Sequence, residues 1–592
     1  MFLKIFSKIG NFIKTIKEFF IRISNLEKWK ENKNKWPSKK QWLSFFKVIS
    51  PIERFLFLIF FLIAVGSLIF YLRLLYLENT KVIPTSGGIL REVIIGYPYS
   101  LNPLFSLLND VDRDLSELLF SGLLRYNEKG NLEKDLAEDY KILENGKIYE
   151  FTLKENIFFS DGRKIDTKDI LFTLELIKNP EVQSPLRSIW QEIKTEKVDH
   201  KTLRFILPSP YWSFFESFTL KILPEHIFSE ILPQEVLLKS REQVISSGPF
   251  KIKNLKKEEE KISKIILERN PYFHRKAPYF EEMEITFIEN EEDLSKKEVK
   301  NLNFGGFSPR DKKNFGKNFK IYSFFLSRYF LLFLNLENKI LSQKEIRESL
   351  SLATPKKEII ENILLSEARI VEGPLLPEHF VLDYKKYDFN LEEAKKKLEE
   401  NGWKDQNGDG IKEKVLEEGK EPTPLKLTLT TIEQKDLKQV IEIIQRKWQE
   451  AGFSIEFQIL KPLELQEVIK ERKYDVLLFG KSLNIRPDLL PFWHSLQKKY
   501  PGLNLSQYEN KEIDEILNKI IEEISEEQRK ELLKTFAQKI TEDIPVIFLY
   551  SPNYLYAVSK KIKGIKGEYI TDPSKRFLNI ENWYINERRV RK

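Results

Sequence analysis

The sequence of 592 residues contains no cysteine and only five histidines. The absence of cysteine excludes a disulfide framework, thiolate metal ligands, a cysteine nucleophile and a lipid-modified cysteine anchor. No two histidines lie within one helical turn, so a zinc site is not expected. The sequence also lacks a Gly-x-Ser-x-Gly nucleophile motif and a Gly-x-x-x-x-Gly-Lys-Ser/Thr phosphate loop. These absences leave no positive support for an enzyme, and no cofactor is expected.

Charge is distributed unevenly along the chain. Residues 1–54 hold thirteen basic and four acidic residues, whereas residues 78–592 hold 83 basic and 85 acidic residues. The net charge of +8 therefore belongs to an N-terminal arm, and no nucleic-acid partner is expected because the remainder has no excess of basic residues. The length is several times the ~100–200 residues of one domain, so at least two lobes are expected.

An uncharged segment follows the basic arm. Residues 55–72 contain no charge, and apolar residues continue to position 77 around Arg73. At ~1.5 Å per residue, this segment is longer than the ~30 Å hydrocarbon core of a bilayer. The arm is too long for the n-region of a cleaved signal peptide, and a buried core helix would not need phenylalanine and leucine on every side. We predict a transmembrane signal-anchor at residues 55–77, with residues 1–54 in the cytoplasm and the C-terminal domain outside the cell membrane.

Two shorter segments flank this anchor. Between residues 2 and 23, apolar side chains recur on one helical face and basic side chains on the other. This pattern predicts a basic amphipathic helix, which either lies on the inner leaflet or docks on a partner protein. Residues 78–88 end in Pro-Thr-Ser-Gly-Gly, a composition typical of a linker.

Beyond the linker, predicted strands alternate with predicted helices. The strands are expected at residues 89–96, 147–153, 201–207, 261–268, 280–288, 329–335, 474–479 and 546–549. The helices are expected at residues 112–124, 166–178, 343–353, 390–401, 435–451, 510–524 and 527–542. This order predicts an α/β fold.

One short segment is similar to part of a calcium-binding loop. Asp405, Asn407, Asp409 and Gly410 match positions one, three, five and six of an EF-hand loop. Leu416 occupies the twelfth position, where that loop needs a bidentate glutamate. We therefore interpret the segment as a structural turn rather than a metal site.

Several short motifs occur in a fixed order between residues 87 and 583. They include Tyr-Ser-Leu-Asn-Pro-Leu at 99–104, Leu-Phe-Ser-Gly-Leu at 119–123, Leu-Ala-Glu at 136–138, Ile-Phe-Phe-Ser-Asp-Gly at 157–162, Ser-Gly-Pro-Phe at 247–250, Arg-Asn-Pro-Tyr-Phe at 269–273, Leu-Asn at 334–335, Gly-Trp at 402–403, Phe-Trp-His-Ser at 492–495 and Ile-Pro-Val at 544–546. Together they resemble the family-5 extracellular solute-binding proteins, which are the oligopeptide, dipeptide and nickel receptors of ABC importers.

The resemblance implies a two-lobed fold of the periplasmic-binding-protein type (type II, cluster C), preceded by the transmembrane helix. One lobe would combine residues 89–285 and 545–592, with a subdomain at about 126–200, and the other would be residues 286–544. Crossings near 285 and 545 would form a hinge, and the ligand would bind between the lobes. The implied partners are a peptide or another small polar solute, ABC permease subunits and the lipid bilayer.

The resemblance also implies candidate ligand-binding residues. They are Tyr99, Asn102, Asn335, Lys481, Asn484, Asp488 and Trp493. Peptide receptors of this family commonly have a tryptophan after the glycine that ends the strand at Gly480, and three residues later an aspartate that pairs with the ligand ammonium. This chain has Lys481 and Asn484 at those positions, and Asp488 could replace the aspartate. Otherwise the ligand lacks a free amine or carries negative charge, unless Lys481 simply faces solvent.

These features predict a membrane-tethered extracytoplasmic solute-binding protein of an ABC importer, which holds a peptide or similar solute by closing a hinge. The alternative is a ligand-sensing or scaffolding membrane protein that uses the same fold and acts through the cytoplasmic arm. A membrane-anchored hydrolase is a third class, but no motif supports it.

Overall fold

The computed structural model describes residue 40 and residues 50–239, 244–290, 293, 302–376, 380, 385–416, 421–484, 486–523 and 525–592. The helix predicted for residues 2–23 lies outside these residues. The chain divides into two units, one that extends to Ile83 and includes Arg588–Lys592, and one that comprises Pro84–Glu587.

The described α-helices alternate with strands along the chain. They are α1 Pro51–Asn79, α2 Asp110–Leu119, α3 Thr167–Lys178, α4 Arg187–Trp190, α5 Glu225–Phe228, α6 Val236–Lys239, α7 Lys344–Leu352, α8 Lys356–Asn362, α9 Leu391–Glu400, α10 Lys435–Glu450, α11 Pro462–Glu471, α12 Leu490–Trp493, α13 Lys511–Glu522 and α14 Glu526–Asp543.

The described strands are β1 Thr80–Pro84, β2 Ile89–Ile95, β3 Leu124–Tyr126, β4 Leu132–Lys134, β5 Ala137–Leu143, β6 Ile148–Leu153, β7 Lys194–Lys197, β8 Thr202–Ile206, β9 Phe250–Glu258, β10 Lys261–Arg269, β11 Glu282–Ile288 and β12 Asn303–Gly305. They continue with β13 Phe319–Leu326, β14 Arg328–Leu334, β15 Ala368–Ile370, β16 Glu413–Lys414, β17 Thr423–Pro424, β18 Lys426–Ile432, β19 Ser454–Leu460, β20 Val476–Ser482, β21 Val546–Ser559, β22 Tyr569–Ile570 and β23 Glu587–Arg591.

In the first unit, α1 contains the apolar segment predicted from the sequence. Its N-terminus is a capping box, in which the Ser50 hydroxyl accepts from the Glu53 N–H and the Glu53 carboxylate accepts from the Ser50 N–H. None of its residues is buried. By length and composition this helix can cross a membrane, and it extends past the predicted 55–77 at both ends.

In the second unit, most described strands belong to one thirteen-stranded mixed sheet. Its main order is β19-β18-β20-β14-β21-β12-β2-β11-β10-β9, with β13, β15 and β22 attached beside that path. The strands β18, β19 and β20 are parallel, and β14 runs antiparallel to both β20 and β21. A separate four-stranded sheet, β5-β6-β8-β7, covers residues 137–206, close to the expected subdomain.

Most buried apolar side chains of this unit fall into two regions, and Val93, Ile288, Phe304, Phe307, Leu555 and Ala557 form a separate smaller cluster. The first core region draws its residues from 90–287, from Phe324 and Leu326, and from 554–583. The second core region consists of two clusters within residues 329–550. The change from one region to the other therefore falls at Ser327 and within residues 551–553, whereas the sequence placed the crossings near 285 and 545. The observed crossings differ from the expected ones because β13 packs with the first region and because β21 continues through Pro552.

The helix predicted at 112–124 is wrong at both ends. Asn109 caps α2, because its side chain accepts from the Asp112 N–H, at 2.7 Å. The helix ends at Leu119, and the backbone of Phe120 is extended. At Gly122, a Cβ atom would lie 2.6 Å from the Leu220 carbonyl oxygen, so the backbone must pass close to a neighbouring segment there. This tertiary contact ends the helix early, and β3 follows.

Charged side chains are buried where α2 meets the 3₁₀ turn Pro573–Phe577. Arg576 makes two hydrogen bonds to Asp114, at 2.7 and 2.6 Å, and both side chains are almost fully buried. Glu92 lies beside them, with its Oε1 atom 3.7 Å from the Arg576 Nε atom, and accepts from the Tyr556 hydroxyl at 2.8 Å. Burial raises the pKa of Glu92 to about 7, although Arg576 and Tyr556 act against it.

Glu92→Gln tests this buried carboxyl. Because its pKa is raised in the fold, Glu92 contributes stability below its ordinary pKa of 4.5, and that contribution is lost as the pH rises through 7. The amide keeps an acceptor for Tyr556 but cannot ionise. We expect the substitution to raise the free energy of unfolding by roughly 1–2 kcal/mol above pH 7 and to gain nothing near pH 4. Urea unfolding at both pH values measures this difference, and an equal effect at both would contradict it.

Candidate ligand-binding site

Two chain crossings join the core regions, and buried serines hold both. The Ser327 hydroxyl donates to the Leu483 carbonyl at 2.6 Å, and the Ser327 N–H donates to the Ile570 carbonyl at 3.0 Å. The Ser551 hydroxyl donates to the Leu326 carbonyl at 3.1 Å. Only a few residues cross between the regions here, so this is the place where a hinge could act.

A cavity of about 380 Å³ lies near these crossings. Its polar lining includes Arg113, Glu117, Lys221, Asn484, Asp572 and Lys575. Asn484 lies two residues after the end of β20 of the second core region, whereas the other five residues belong to segments that pack on the first. The volume is at the lower end of the ~300–1,000 Å³ of small-molecule sites. The arrangement therefore offers donors and acceptors from both core regions to a small polar ligand.

A buried carboxylate between two lysines forms one wall of the cavity. Glu117 lies 3.2 Å from the Lys221 ammonium and 2.7 Å from the Lys575 ammonium. Burial alone would raise the pKa of Glu117, but the two lysines outweigh it and lower that pKa to about 2. Asp572 accepts from the Ser574 N–H at 3.0 Å and lies 3.8 Å from Lys575. This wall therefore places two lysines beside two carboxylates.

Arg113 supplies a further positive charge to the cavity. It lies one helical turn before Glu117 on α2, and its guanidinium contacts Asp110 at 3.1 Å. Within the described part of the chain, its buried Nε atom has no hydrogen-bond partner. Guanidinium groups bind carboxylates with two parallel hydrogen bonds. Arg113 is therefore the lining group best suited to hold a carboxylate of a ligand.

Beside the cavity, the two core regions contact each other directly. The Tyr211 hydroxyl donates to the Asp488 carboxylate, and the Arg486 N–H donates to Glu216, which also lines the cavity. The Arg486 guanidinium lies 4.4 Å from the centre of the Phe215 ring. These contacts link segments around 211–216 of the first region to the loop after β20, so the cavity is closed on this side.

Lys481, which precedes this loop, is buried rather than solvent-facing. Only 5% of it is exposed, and its Nζ atom lies 3.5 Å from the centre of the Phe492 ring. That atom has no hydrogen-bond partner among the described residues. Burial lowers the pKa of Lys481 to about 7, against the opposing effect of Asp488. Lys481 therefore packs beneath the interregion contact and does not line the cavity itself.

The other predicted site residues lie in different environments. Asn484 lines the cavity, and Asp488 is bonded to Tyr211. Asn102 is buried and accepts from the Leu104 N–H, at 2.9 Å, as the cap of a short turn. Tyr99 is 44% exposed, and its N–H donates to Asp112.

Asn335 and Trp493 are buried in the second core region, and Asn335 also lines a separate groove of that region. The Asn335 amide donates to the Tyr474 carbonyl at 2.9 Å and fixes the start of β20. Trp493 is 2% exposed and packs edge-on against Phe536, with ring centres 6.0 Å apart. Both side chains lie away from the cavity lining.

Most residues of the cavity were missed by the sequence analysis. Glu117, Lys221, Asp572 and Lys575 belong to a chain in which lysine and glutamate are abundant, and such residues usually lie on solvated faces. Their burial results from contacts between segments far apart in sequence, such as Glu117 with Lys575. No local pattern indicates such contacts.

A larger and more open groove of about 640 Å³ lies elsewhere in the second unit. Its lining residues all lie between 335 and 475, within the second core region. It therefore has no contribution from the first region, and hinge movement would not close it. We favour the smaller cavity because both regions line it.

The loop that resembles a calcium site forms a hydrogen-bonded turn. The Asp405 carboxylate accepts from the Gly408 and Gly410 N–H groups, at 2.7 and 2.9 Å. Carboxylate oxygens of Asp405, Asp409 and Glu413 lie within 4.8 Å of one another. Hydrogen bonds from backbone N–H groups to an aspartate carboxylate are typical of a structural turn. We therefore continue to interpret this segment as a turn.

Lys481→Met is expected to stabilise the fold. A lysine whose pKa is lowered in the fold costs stability below that pKa, and the cost disappears as the pH rises towards its ordinary value of 10.5. Methionine fills similar space without a charge. We expect the free energy of unfolding to rise by roughly 1–3 kcal/mol at pH 6, because the cost of burying the ammonium is removed. Loss of the contact between the ammonium and the Phe492 ring offsets part of this gain.

Chemical unfolding of the full chain at pH 6 and at pH 10 measures this gain. The gain should be large at pH 6 and small at pH 10. Lys470→Met, at a lysine whose side chain is 51% exposed, is the matched control and should change little at either pH. A Lys481→Met variant less stable than the wild type at pH 6 would contradict the assignment of a buried, uncompensated amine.

Comparison with known proteins decides the family. The model for bacterial extracellular solute-binding proteins, family 5 middle, matches residues 131–502. The chain belongs to this family. The oligopeptide-binding protein AppA of Bacillus subtilis (strain 168) is 30% identical over 523 residues, which cover 85% of this chain and 92% of that protein. These matches confirm the resemblance found in the sequence.

Solved structures of this family share the two-lobed α/β fold. The structure of Bacillus subtilis AppA in complex with a nonapeptide has a TM-score of 0.67 and 28% identity, covering 85% of this chain and 100% of that one. The structure of NikZ from Campylobacter jejuni in complex with Ni(L-His) has a TM-score of 0.68 and 24% identity, covering 84% of this chain and 99% of that one. The α/β two-lobed fold, preceded by an apolar N-terminal helix, is thus the fold of this chain.

Proposed function

We propose that the chain is a membrane-tethered extracytoplasmic solute-binding protein of an ABC importer, and that it binds a short peptide or a similar polar solute in the cavity described above. Its membership of a solute-binding family supports binding without chemical conversion. The observation that carries the proposal is the cavity lined by ionised groups of one core region and by Asn484 of the other. A ligand bound there would contact both.

The mechanism follows from these contacts. In this proposal the described residues of 89–326 and 554–587 form one lobe and the described residues of 328–550 form the other, with Ser327 and residues 551–553 between them; the separation of the main core regions supports this division. The Tyr211–Asp488 hydrogen bond and the Arg486 contacts form only when the lobes approach. A ligand that bridges Arg113 and Asn484 gains its contacts in the closed form alone and shifts the hinge equilibrium towards it.

The ligand chemistry follows from the charge of the cavity. Arg113 and the two lysines can hold a carboxylate, while Asp572 can accept from an ammonium. An extended peptide carries both groups at its ends, and its backbone supplies further donors and acceptors. The volume of about 380 Å³ favours a short peptide or a solute of that size over a long peptide. ABC permease subunits are the expected partners of the closed form.

Membrane tethering would act through α1. The uncharged residues 55–72 lie within a helix that can cross a membrane, and the basic arm before it supports an orientation with residues 1–54 in the cytoplasm. A tether keeps the binding protein at high effective concentration near its permease. The alternative is a ligand sensor or scaffold that acts through the cytoplasmic arm, because the amphipathic helix predicted at residues 2–23 could dock on a partner protein.

Native mass spectrometry of the full chain, purified from membranes in detergent, tests the binding proposal. We expect a co-purified small molecule that dissociates on partial unfolding and rebinds from a peptide mixture without being altered. A chain that carries no small molecule and binds nothing from that mixture would contradict the proposal, and so would conversion of the bound molecule. Deletion of residues 2–23 distinguishes the alternative, since uptake should survive that deletion and signalling should not.

A further inference from the structure

A strand with a dense positive charge meets the end of α1. β23 contains Arg588, Arg589 and Arg591, and Lys592 follows it directly. β23 pairs with β1, the strand that continues from α1. The Lys592 N–H donates to the carbonyl of Asn79, the last residue of α1, at 2.9 Å. The strand pairing therefore holds all four cations at the end of the apolar helix.

These cations are available to an external partner. Arg588, Arg591 and Lys592 are exposed, and no carboxylate among the described residues lies at ion-pair distance from any of them. The neighbouring acidic residue, Glu587, is paired with Lys563 instead. The arrangement therefore leaves a cluster of unneutralised positive charge.

Arg589 is tied to the helix itself. It is half-buried, its Nε atom donates to the Thr80 hydroxyl at 3.3 Å, and its guanidinium lies 5.7 Å from the centre of the Tyr76 ring. Like the other three cations, it has no carboxylate partner among the described residues. Its position therefore follows that of the last turn of α1.

The level of these cations follows from the length of α1. If residues 55–72 occupy the hydrocarbon core, α1 rises roughly 10 Å from Leu72 to Asn79 at ~1.5 Å per residue. That distance brings β1 and β23 to the outer boundary of the headgroup layer, which is ~5–8 Å thick on each side. Tyr76 lies within this layer, where tyrosine is enriched. Attraction between cations and an anionic surface extends over ~8–10 Å, so all four cations are within reach.

We propose that the β1–β23 pair, with Arg588, Arg589, Arg591 and Lys592, is a binding site for anionic phospholipid headgroups of the extracytoplasmic leaflet. Guanidinium groups donate paired hydrogen bonds to phosphate oxygens, which suits three arginines in one short strand. The inference rests on the proposed membrane anchor but not on the ligand of the cavity. It assigns to the C-terminal strand a second contact with the membrane, additional to the helix.

Lipid retention by the full chain tests this proposal. The wild type and the variant R588Q/R589Q/R591Q/K592Q are purified from nanodiscs that contain equal amounts of phosphatidylglycerol and phosphatidylcholine, and bound lipids are counted by native mass spectrometry. The wild type should retain several-fold more phosphatidylglycerol than phosphatidylcholine. The variant should lose this preference, whereas R588K/R589K/R591K, which keeps the charge, should retain part of it.

The matched control removes the same charge elsewhere. K357Q/K396Q/K470Q/K530Q changes four helical lysines whose side chains are 81%, 73%, 51% and 61% exposed. This control should behave like the wild type. Equal retention of the two lipids by the wild type would overturn the proposal, as would a variant that retains phosphatidylglycerol fully, or a preference abolished by free inorganic phosphate.

Two further measurements separate the proposals from one another. Incorporation of the wild type into nanodiscs tests only the proposed membrane anchor. A wild type that does not enter nanodiscs would overturn both the proposed anchor and the lipid-binding inference. Binding of small molecules from a peptide mixture reports on the cavity, and the variant should bind them as the wild type does. Loss of small-molecule binding in the variant would show a structural defect rather than a lipid contact and would overturn the inference.

Discussion

Arg576→Met is expected to lower the free energy of unfolding by about 3–5 kcal/mol. The side chains of Arg576 and Asp114 are 3% and 5% exposed. Two hydrogen bonds of 2.7 and 2.6 Å join them, and each side chain neutralises the charge of the other. Removing the guanidinium leaves the Asp114 carboxylate buried without its counter-charge, close to Glu92. Urea unfolding of the full chain at pH 7 measures the loss.

Two further variants show whether the loss comes from the uncompensated carboxylate. Arg446→Met breaks the ion pair with Glu358, in which the arginine side chain is 58% exposed, and should cost at most about 1 kcal/mol. The double variant D114N/R576M should be more stable than R576M, because it removes the unpaired charge as well. A loss below about 1 kcal/mol for R576M would contradict the buried pair as a structural element.

Arg113→Gln is expected to weaken ligand binding by about a hundredfold, since truncating one partner of a buried charge pair costs about 2–5 kcal/mol. The reason is that Arg113 is the lining cation with an unsatisfied buried Nε atom, whereas Lys221 and Lys575 are both paired with Glu117. Calorimetric titration of the full chain, with the molecule identified by mass spectrometry, measures the affinity.

The control for this variant is Arg91→Gln, at an arginine whose side chain is 51% exposed and pairs with Glu284 outside the cavity. It removes the same charge and should leave the affinity unchanged. An Arg113→Gln variant that folds normally and binds as tightly as the wild type would contradict the assignment of Arg113 as the group that holds the ligand carboxylate.

Local sequence patterns predicted the helices and strands that are stabilised mainly by residues close to them in the sequence. The helix at 166–178 is confirmed as α3, because Asp166 caps it and forms a capping box with Asp169. The strand at 89–96 is confirmed as β2, whose apolar residues are buried in the core. In each case the period of apolar side chains and the cap agree with the final fold.

Elements defined by distant contacts were missed or shortened. β9 has one buried residue, Phe250, and four lysines, so its sequence lacks the alternation of a half-buried strand, and its pairing with β10 alone defines it. The strand that corresponds to β21 was predicted only to residue 549, and Ser551, Pro552 and Asn553 are residue types common in turns. In the structure, Pro552 lies opposite Ala368 of β15, and the strand continues.

In the candidate site too, local motifs indicate some residues, and contacts between distant segments bring in the others. The motif at the end of β20 indicated the loop that contains Asn484, and that residue lines the cavity. The remaining polar lining comes from α2, from Lys221 and from the turn that begins at Pro573, which meet only in the tertiary fold. Lys481, in contrast, was placed by analogy with an aromatic residue, and its side chain instead packs on Phe492.

The central claim is that a ligand closes two lobes around the cavity at Asn484. Because the chain contains no cysteine, two cysteines introduced at Lys168 of α3 and Lys470 of α11 can carry spin labels without further changes. The distance between these labels in the full chain is measured by pulsed electron resonance, before and after addition of the co-purified molecule. The account predicts two distance populations in the ligand-free protein and a shift towards the closed one on binding, which Arg113→Gln weakens. A single distance that the ligand leaves unchanged would contradict it.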